Sequence, residues 1–125
     1  MKFNRELIYK IIDNNINIID LQDLNKQELK ILYNALKLNY SLKKIYLSYT
    51  KIKDIKSLCK ALKNNSYLIE LHLTNNEIED ISSLKFLENN SCLETLDLLG
   101  NEIEDITSLK VLKINSCLKK IRFSW

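Results

Sequence analysis

Side chains that could do acid–base chemistry are few in this sequence. The only histidine is His72, and Asp97 follows it by 25 residues, at the equivalent position of a repeat described below. A histidine beside a carboxylate can move protons, but catalysis also needs a nucleophile within hydrogen-bond reach and a means of excluding water. Thr74 is two residues further along and the cysteines lie elsewhere in the repeat, so no triad assembles. We therefore predict no enzymatic activity and no catalytic residue.

Metal and nucleotide cofactors are also not expected. The chain has one histidine and three cysteines, Cys59, Cys92 and Cys117, without metal-ligand spacing. Glycine occurs once, at Gly100, and proline is absent, so the sequence contains no glycine-rich phosphate loop. We predict no cofactor, no metal and no small-molecule substrate, and we expect the 15 asparagines to take over the turning of the chain.

The cellular location is predicted from what the sequence lacks. The first residues, MKFNRELIYKIIDNN, have no apolar run of the length that a signal peptide needs. No window approaches the roughly 18 apolar residues of a membrane span. We expect a cytoplasmic protein with no membrane contact and reduced thiols. A disulfide between Cys92 and Cys117, which occupy matching positions of adjacent units, remains an alternative.

A repeat of 25 to 26 residues organises the chain. Residues 66–90 (SYLIELHLTNNEIEDISSLKFLENN) align without a gap with residues 91–115 (SCLETLDLLGNEIEDITSLKVLKIN). Most matching positions are leucine or isoleucine, which together supply 23 and 17 of the 125 residues. Further copies of the same apolar positions precede and follow these two. The predicted units start near residues 16, 42, 68, 93 and 118.

The apolar positions predict both the strands and their stacking. Leu71 and Leu73 alternate with period two, so both lie on one face of a strand. A single unit has nothing to bury that face against, and stacked units supply the partner. Residues 55–62 then have the i, i+3, i+4, i+7 spacing of a helix with one buried stripe.

Polar residues at fixed positions predict how the units are joined. We expect the buried amides of Asn76 and Asn101 to satisfy backbone groups of the loops. Three aspartates are expected at helix N-caps: Asp54, Asp80 and Asp105. Residues 1–15 are predicted to form a helix that caps the stack, and residues 16–125 are predicted to form the repeats.

The unit L-x-x-L-x-L-x-x-N-x-I resembles the leucine-rich repeat over residues 16–125. The N-x-x-L that precedes the next unit, as in residues 65–68, is similar to the ribonuclease-inhibitor-like class. The units are shorter than that class usually has, and Leu24 and Thr50 replace the asparagine in the first two. The resemblance implies an α/β fold, a right-handed horseshoe segment of a solenoid. Such a solenoid has a parallel concave β-sheet, short convex helices and an N-terminal capping helix.

The resemblance also implies a surface that binds proteins. Strand residues between the apolar ones face outward onto the concave surface, in a central row of neighbours about 5 Å apart. That row contains Asp20, Tyr46, His72, Asp97 and Arg122. Tyrosine and arginine are favoured as binding anchors, although any solvated sheet face carries mixed polar residues. We predict a non-enzymatic protein–protein interaction module with these partner-binding residues: Lys44, Tyr46, Glu70, His72, Asp97, Lys120 and Arg122.

The net charge of +3 conceals charged bands. Residues 41–65 have seven lysines against Asp54, whereas the next two units carry net charges of −4 and −3 and the last ten residues carry +3. The bands could steer a partner of complementary pattern. They could equally strengthen contacts between units, for example between Lys53 and Glu77. A nucleic-acid partner is not expected, because one basic band with a few tyrosines is weak evidence.

The alternative function uses the end of the sheet. A strand near residues 118–124 would leave an unpaired edge, which invites pairing with another chain. The protein would then be a structural adaptor or a self-assembling subunit, with Trp125 covering the edge or supplying an apolar contact. A GTPase-activating role is a third reading that only the repeat class suggests. The sequence does not identify the partner.

Overall fold

The computed structural model describes residues 1–112 and 117–123, and five short parallel strands form one sheet within them. The order of the strands in the sheet is their order in the chain. Each strand begins two residues after the predicted start of a unit, so the predicted α/β stack with a parallel sheet is confirmed. The strands are β1 (Ile18–Asp20), β2 (Lys44–Tyr46), β3 (Glu70–His72), β4 (Thr95–Leu98) and β5 (Lys120–Phe123).

The register of the sheet places equivalent apolar residues beside one another. Ile19 pairs with Ile45, Ile45 with Leu71, Leu71 with Leu96, and Leu96 with Ile121. The side chains on the first four strands are fully buried: Ile19, Ile45, Leu71 and Leu96. Each buried leucine or isoleucine contributes roughly 1.5–3 kcal/mol relative to exposure. This row therefore forms the centre of the core and fixes the alignment of the units.

A short helical segment follows each of the first four strands, as predicted, and one further helix precedes β1. The α-helices are α1 (Arg5–Ile12), α2 (Lys26–Leu36), α3 (Lys56–Leu62) and α4 (Leu109–Leu112), and residues Ser82–Leu87 form a 3₁₀ helix. The longest, α2, starts with a capping box in which Asn25 and Glu28 each accept the other's backbone N–H. Among the described residues, no helix combines the length and the apolar character needed to cross a membrane.

The N-cap prediction is wrong by one residue for Asp54 and Asp80, and Asp105 lies four residues before the start of α4. The N-cap of α3 is Ile55, and that of the 3₁₀ helix is Ile81. Each aspartate instead accepts the N–H two residues further on, at 2.8–2.9 Å, in a turn that competes with capping. These backbone hydrogen bonds hold the pKa of Asp80 and the pKa of Asp105 below the usual aspartate value.

The prediction that Asn76 satisfies the loops is confirmed. Its Oδ1 accepts the backbone N–H groups of Thr50 and Ile52 at 2.9 and 3.1 Å. Its Nδ2 donates to the carbonyl oxygens of Leu47 and Leu73 at 2.8 and 3.1 Å. One buried side chain therefore joins the loops of two units.

Asn101 has the same role one unit later. Its Nδ2 donates to the carbonyls of Leu73 and Leu98, both at 2.9 Å, and its Oδ1 accepts the N–H of Ile78 at 3.0 Å. Thr50, at the equivalent position one unit before Asn76, is buried but reaches only the carbonyl of Ser48. The amide is thus what links adjacent units, and the shorter threonine side chain does not replace it.

Asparagine does not take over the turning as expected. The described residues with positive φ are Asn14, Asp23, Tyr49, Lys51, Asn75 and Gly100. Four of them, residues 23, 49, 75 and 100, occupy one position of successive units. The geometry of the loop after each strand therefore imposes the left-handed conformation, whichever residue is present. At Gly100 an added Cβ would also collide with the side chain of Asn75.

We expect Asn76→Ala to lower the free energy of unfolding by about 3 kcal/mol, because two buried N–H groups and two carbonyls would lose a partner. Urea denaturation followed by circular dichroism measures the change. The exposed residue Asn64 makes no side-chain hydrogen bond to the described residues, and Asn64→Ala is the matched control. Equal small losses in the two variants would contradict the role of the Asn76 amide.

Candidate binding surface

The predicted central row is aligned across the sheet. Asp20 is in register with Tyr46, Tyr46 with His72, His72 with Asp97, and Asp97 with Arg122. Because side chains alternate along a strand, these five lie on the face opposite the buried apolar row. We use the name concave face for this row together with its strand neighbours Lys44, Glu70, Thr95 and Lys120.

An aromatic stack lies at the middle of the concave face. The rings of Tyr46 and His72 are nearly parallel, at 13°, with centroids 4.3 Å apart. Both rings approach the carboxylate of Glu70. His72 Nε2 lies 2.8 Å from Glu70 Oε1, and the Tyr46 hydroxyl donates to the same oxygen at 3.5 Å. Two neighbouring strands thus hold a flat platform of two rings in one geometry.

Glu70 also has a cationic neighbour. Lys44 Nζ lies 3.1 Å from Glu70 Oε2, across β2 and β3. The hydrogen bond from His72, followed by the contacts from Lys44, holds the pKa of Glu70 below its usual value. The same contact raises the pKa of Lys44. Glu70 therefore stays ionised and fixes three side chains around it.

Asp97 is the buried member of the concave face, with only 4 % of its surface exposed. Its Oδ1 accepts the backbone N–H of Leu99 at 3.1 Å. Its Oδ2 lies 3.6 Å from His72 Nδ1 and 3.5 Å from Arg122 Nη1. Asp97 thus orients the imidazole on one side and the half-exposed guanidinium on the other, and it presents little surface of its own.

Six of the seven predicted site residues therefore form one chain of contacts: Lys44, Glu70, Tyr46, His72, Asp97 and Arg122. Lys120 is exposed beside Thr95 and makes no ion pair with the described residues. Sequence reasoning missed the hydrogen bond between the Ser48 and Thr74 hydroxyls, 2.7 Å apart at the ends of β2 and β3. Small hydroxyl residues at equivalent positions of adjacent units are the signal that could have identified it.

The surroundings of His72 favour a structural role for its side chain over proton transfer. Both ring nitrogens face carboxylates, and no serine, threonine or cysteine side chain bonds to His72 among residues 1–112 and 117–123. In the same residues, no group of three or more His, Cys, Asp or Glu is arranged to hold a metal ion. The arrangement can present a rigid polar and aromatic surface to a partner.

The cysteines lie away from this face. Cys59 is buried in α3, and burial raises the pKa of its thiol to about 12, which keeps it protonated and unreactive. Cys92 is exposed and Cys117 is half-buried. The alternative of a disulfide between Cys92 and Cys117 is not realised in the structure.

One expected contact between the charged bands is present. Lys53 Nζ lies 3.9 Å from Glu77 Oε2, on the loops of adjacent units. Two further pairs also join neighbouring units, Lys44 with Glu70 and Lys119 with Glu94 at 3.0 Å. The bands therefore do support contacts between units, although exposed pairs contribute only about 0–1 kcal/mol each.

The family model for leucine-rich repeats, in two copies, matches residues 40–85 and 67–111. Comparison with curated protein sequences found no match.

Solved structures share the fold at low sequence identity. The C-terminal domain of tropomodulin from Caenorhabditis elegans has a TM-score of 0.84 and 12 % identity, and the match covers 96 % of this chain and 81 % of that one. Actin-binding site 2 of leiomodin-1 has a TM-score of 0.82 and 20 % identity, with 100 % and 81 % covered. Internalin C2 from Listeria monocytogenes has a TM-score of 0.63 and 23 % identity, with 98 % and 57 % covered.

We expect Glu70→Gln to make stability less dependent on pH. Since the folded pKa of Glu70 is lowered, its contribution is full above the unfolded glutamate pKa of about 4.3. The contribution is lost as the pH falls through the folded value. The variant should therefore be less stable than the parent at pH 7, and the difference should shrink towards pH 3.

Denaturant titrations across that pH range measure the difference. Glu104→Gln is the control, because Glu104 is exposed and makes no ion pair with the described residues. A loss for Glu70→Gln that is the same at every pH would show that its carboxylate charge does not stabilise the fold.

Proposed function

Because this chain belongs to the leucine-rich repeat family, we propose that it is a non-enzymatic protein–protein interaction module that binds a partner through its concave face. The single observation that carries the proposal is the contact chain from Lys44 to Arg122. Glu70 and Asp97 fix the exposed and half-buried side chains around them, so little conformational freedom remains to be lost on binding.

The proposed site residues are those predicted from the sequence. Tyr46, His72 and Arg122 would contact the partner, with Lys44 and Lys120 at the rim of the face. Asp97 would act by holding His72 and Arg122, since it is itself covered. The two ends of the row differ in charge, with acidic Asp20 on β1 and basic Arg122 on β5, and a partner with the opposite charges at those ends would complement it.

A protein is the proposed class of partner. The fold shared with a leiomodin-1 segment that is named as an actin-binding site supports this choice of class. The proposal carries over neither that partner nor its binding residues, because the common property is the fold. We propose a cytoplasmic location, with no nucleic acid, membrane or small-molecule substrate bound at the concave face.

The proposed domain organisation is a cap at residues 1–15 followed by repeats at residues 16–125. The capping role is supported by α1, whose Leu7 and Ile11 side chains are buried in the same core as the strands. The carbonyl of Ile11 accepts a hydrogen bond from the buried Asn39 side chain, which ties the helix to the segment following α2.

A second candidate function is a structural adaptor or self-assembling subunit that uses the edge of β5. One observation favours it: Ile121 and Phe123 on β5 are only half-buried, whereas Leu96 and Leu98 beside them on β4 are fully buried. An apolar strand that is covered on one side can pair with another chain. Trp125, which the sequence suggested as a further contact, lies outside the described residues.

We expect the variant Tyr46→Ala/His72→Ala/Arg122→Ala to bind its captured protein partner at least about thirtyfold more weakly than the parent chain. The partner is captured from a native lysate on the immobilised parent chain and then purified, and its Kd is measured for each variant. The control Arg5→Ala/Tyr67→Ala removes exposed residues of similar type away from the concave face and should leave the Kd unchanged.

Circular dichroism shows whether the triple variant keeps the fold. If it binds as tightly as the parent while Trp125→Ala does not, the concave-face proposal fails and the edge function replaces it. Light scattering at high concentration supplies a second readout, because a strictly monomeric mass counts against self-assembly through β5.

A further inference from the structure

A cavity of about 880 Å³ lies between α2, α3 and the loop that joins β2 to α3. No strand residue lines it, so it is separate from the concave face. Its apolar lining comes from Leu29, Tyr33 and Ile52. We call it the lysine groove, because six lysines surround it: Lys26, Lys30, Lys37, Lys51, Lys53 and Lys60.

The positive charge of the lysine groove is poorly compensated. The two carboxylates in its lining are Asp54, which accepts a backbone N–H at 2.8 Å, and Glu77, which pairs with Lys53 at 3.9 Å. Lys60 lies 5.7 Å from the centroid of the Phe86 ring. The other four lysines make no ion pair with any described residue. Like charges converging on a concave surface raise the local potential and attract anions.

A tyrosine hydroxyl adds a hydrogen-bond donor to the lining of the groove. Tyr33 is 92 % covered, lines the groove, and its hydroxyl makes no hydrogen bond to any described residue. The hydroxyl oxygen itself is not buried, so a ligand in the groove can reach it. Burial raises the pKa of Tyr33, so the hydroxyl keeps its proton and can donate to an anion.

We propose that the lysine groove binds a ligand with clustered phosphate groups, either a free polyphosphate or the phosphorylated headgroup of a lipid. Every cation in the lining is a lysine. An ammonium is a compact point charge that can bind phosphate oxygens from any direction, and lysine is a common phosphate ligand in proteins. The volume lies in the range of small-ligand sites, about 300–1,000 Å³, and does not call for a long polymer.

Stacking of two units creates this site. The first unit supplies Lys26 and Lys30 from α2 and Lys37 directly after it, and the second unit supplies Lys51, Lys53 and Lys60. Neither unit alone has a complete ring of charges around the apolar lining. Binding in the groove therefore requires the folded stack, but it does not depend on the proposed function of the concave face.

Calorimetric titration of the full chain with inorganic tripolyphosphate tests the proposal. We expect saturable binding that weakens at least about tenfold in Lys26→Gln/Lys30→Gln/Lys37→Gln. The control Lys43→Gln/Lys63→Gln/Lys110→Gln removes the same charge from exposed positions outside the groove and should change the affinity less than about twofold.

Two further measurements separate the groove from general electrostatics and identify the source of the phosphate. Tyr33→Phe keeps the charge and should weaken binding about fivefold, since one hydrogen bond to the ligand is lost. Sedimentation with phosphatidylcholine vesicles, with and without a phosphoinositide, tests the lipid source. Vesicle binding that tripolyphosphate does not reproduce assigns the ligand to a headgroup, and tripolyphosphate binding without vesicle binding assigns it to a free polyphosphate.

The proposal is overturned if neither probe binds, or if the groove and control triple variants lose the same affinity. It is also overturned if poly-L-glutamate binds as tightly as tripolyphosphate, because the groove would then recognise negative charge and not phosphate.

Discussion

The structure depends on one constraint: a strand whose apolar face cannot be buried within its own unit. Ile19, Ile45, Leu71 and Leu96 are fully covered only because each unit packs against the next. The parallel register follows from this stacking. The register alone then aligns the residues of the concave face, whether or not they contact one another. Both proposed sites depend on this stacking, since each combines side chains from neighbouring units.

Much of the fold could be predicted from the sequence, because the same buried apolar positions recur in every unit. The strands and the amides of Asn76 and Asn101 were placed correctly. The turns were not, because loop geometry imposes positive φ on Tyr49 as readily as on Asn75, and tertiary context overrides residue preference. Asp54 and Asp80 were misplaced by one residue because turn formation and N-capping use the same side-chain oxygen.

The two proposed sites could be predicted from the repeat pattern only in part. The concave row was predictable because period two and the repeat length together fix its members. The burial of Asp97 and the stack of Tyr46 on His72 were not, since they depend on side-chain conformations across strands. The lysine groove was missed for a different reason. Counting charges unit by unit assigned the band to residues 41–65 and left the lysines of α2 in another unit.

The central claim is that a protein partner contacts the concave face. The most direct measurement is site-specific photo-crosslinking of the captured partner, with benzoylphenylalanine in place of Tyr46 or, as a comparison, in place of the exposed Tyr67. We expect a covalent adduct from position 46 and none from position 67. An adduct from position 67 with none from position 46, in chains that keep the fold and the partner, would contradict it.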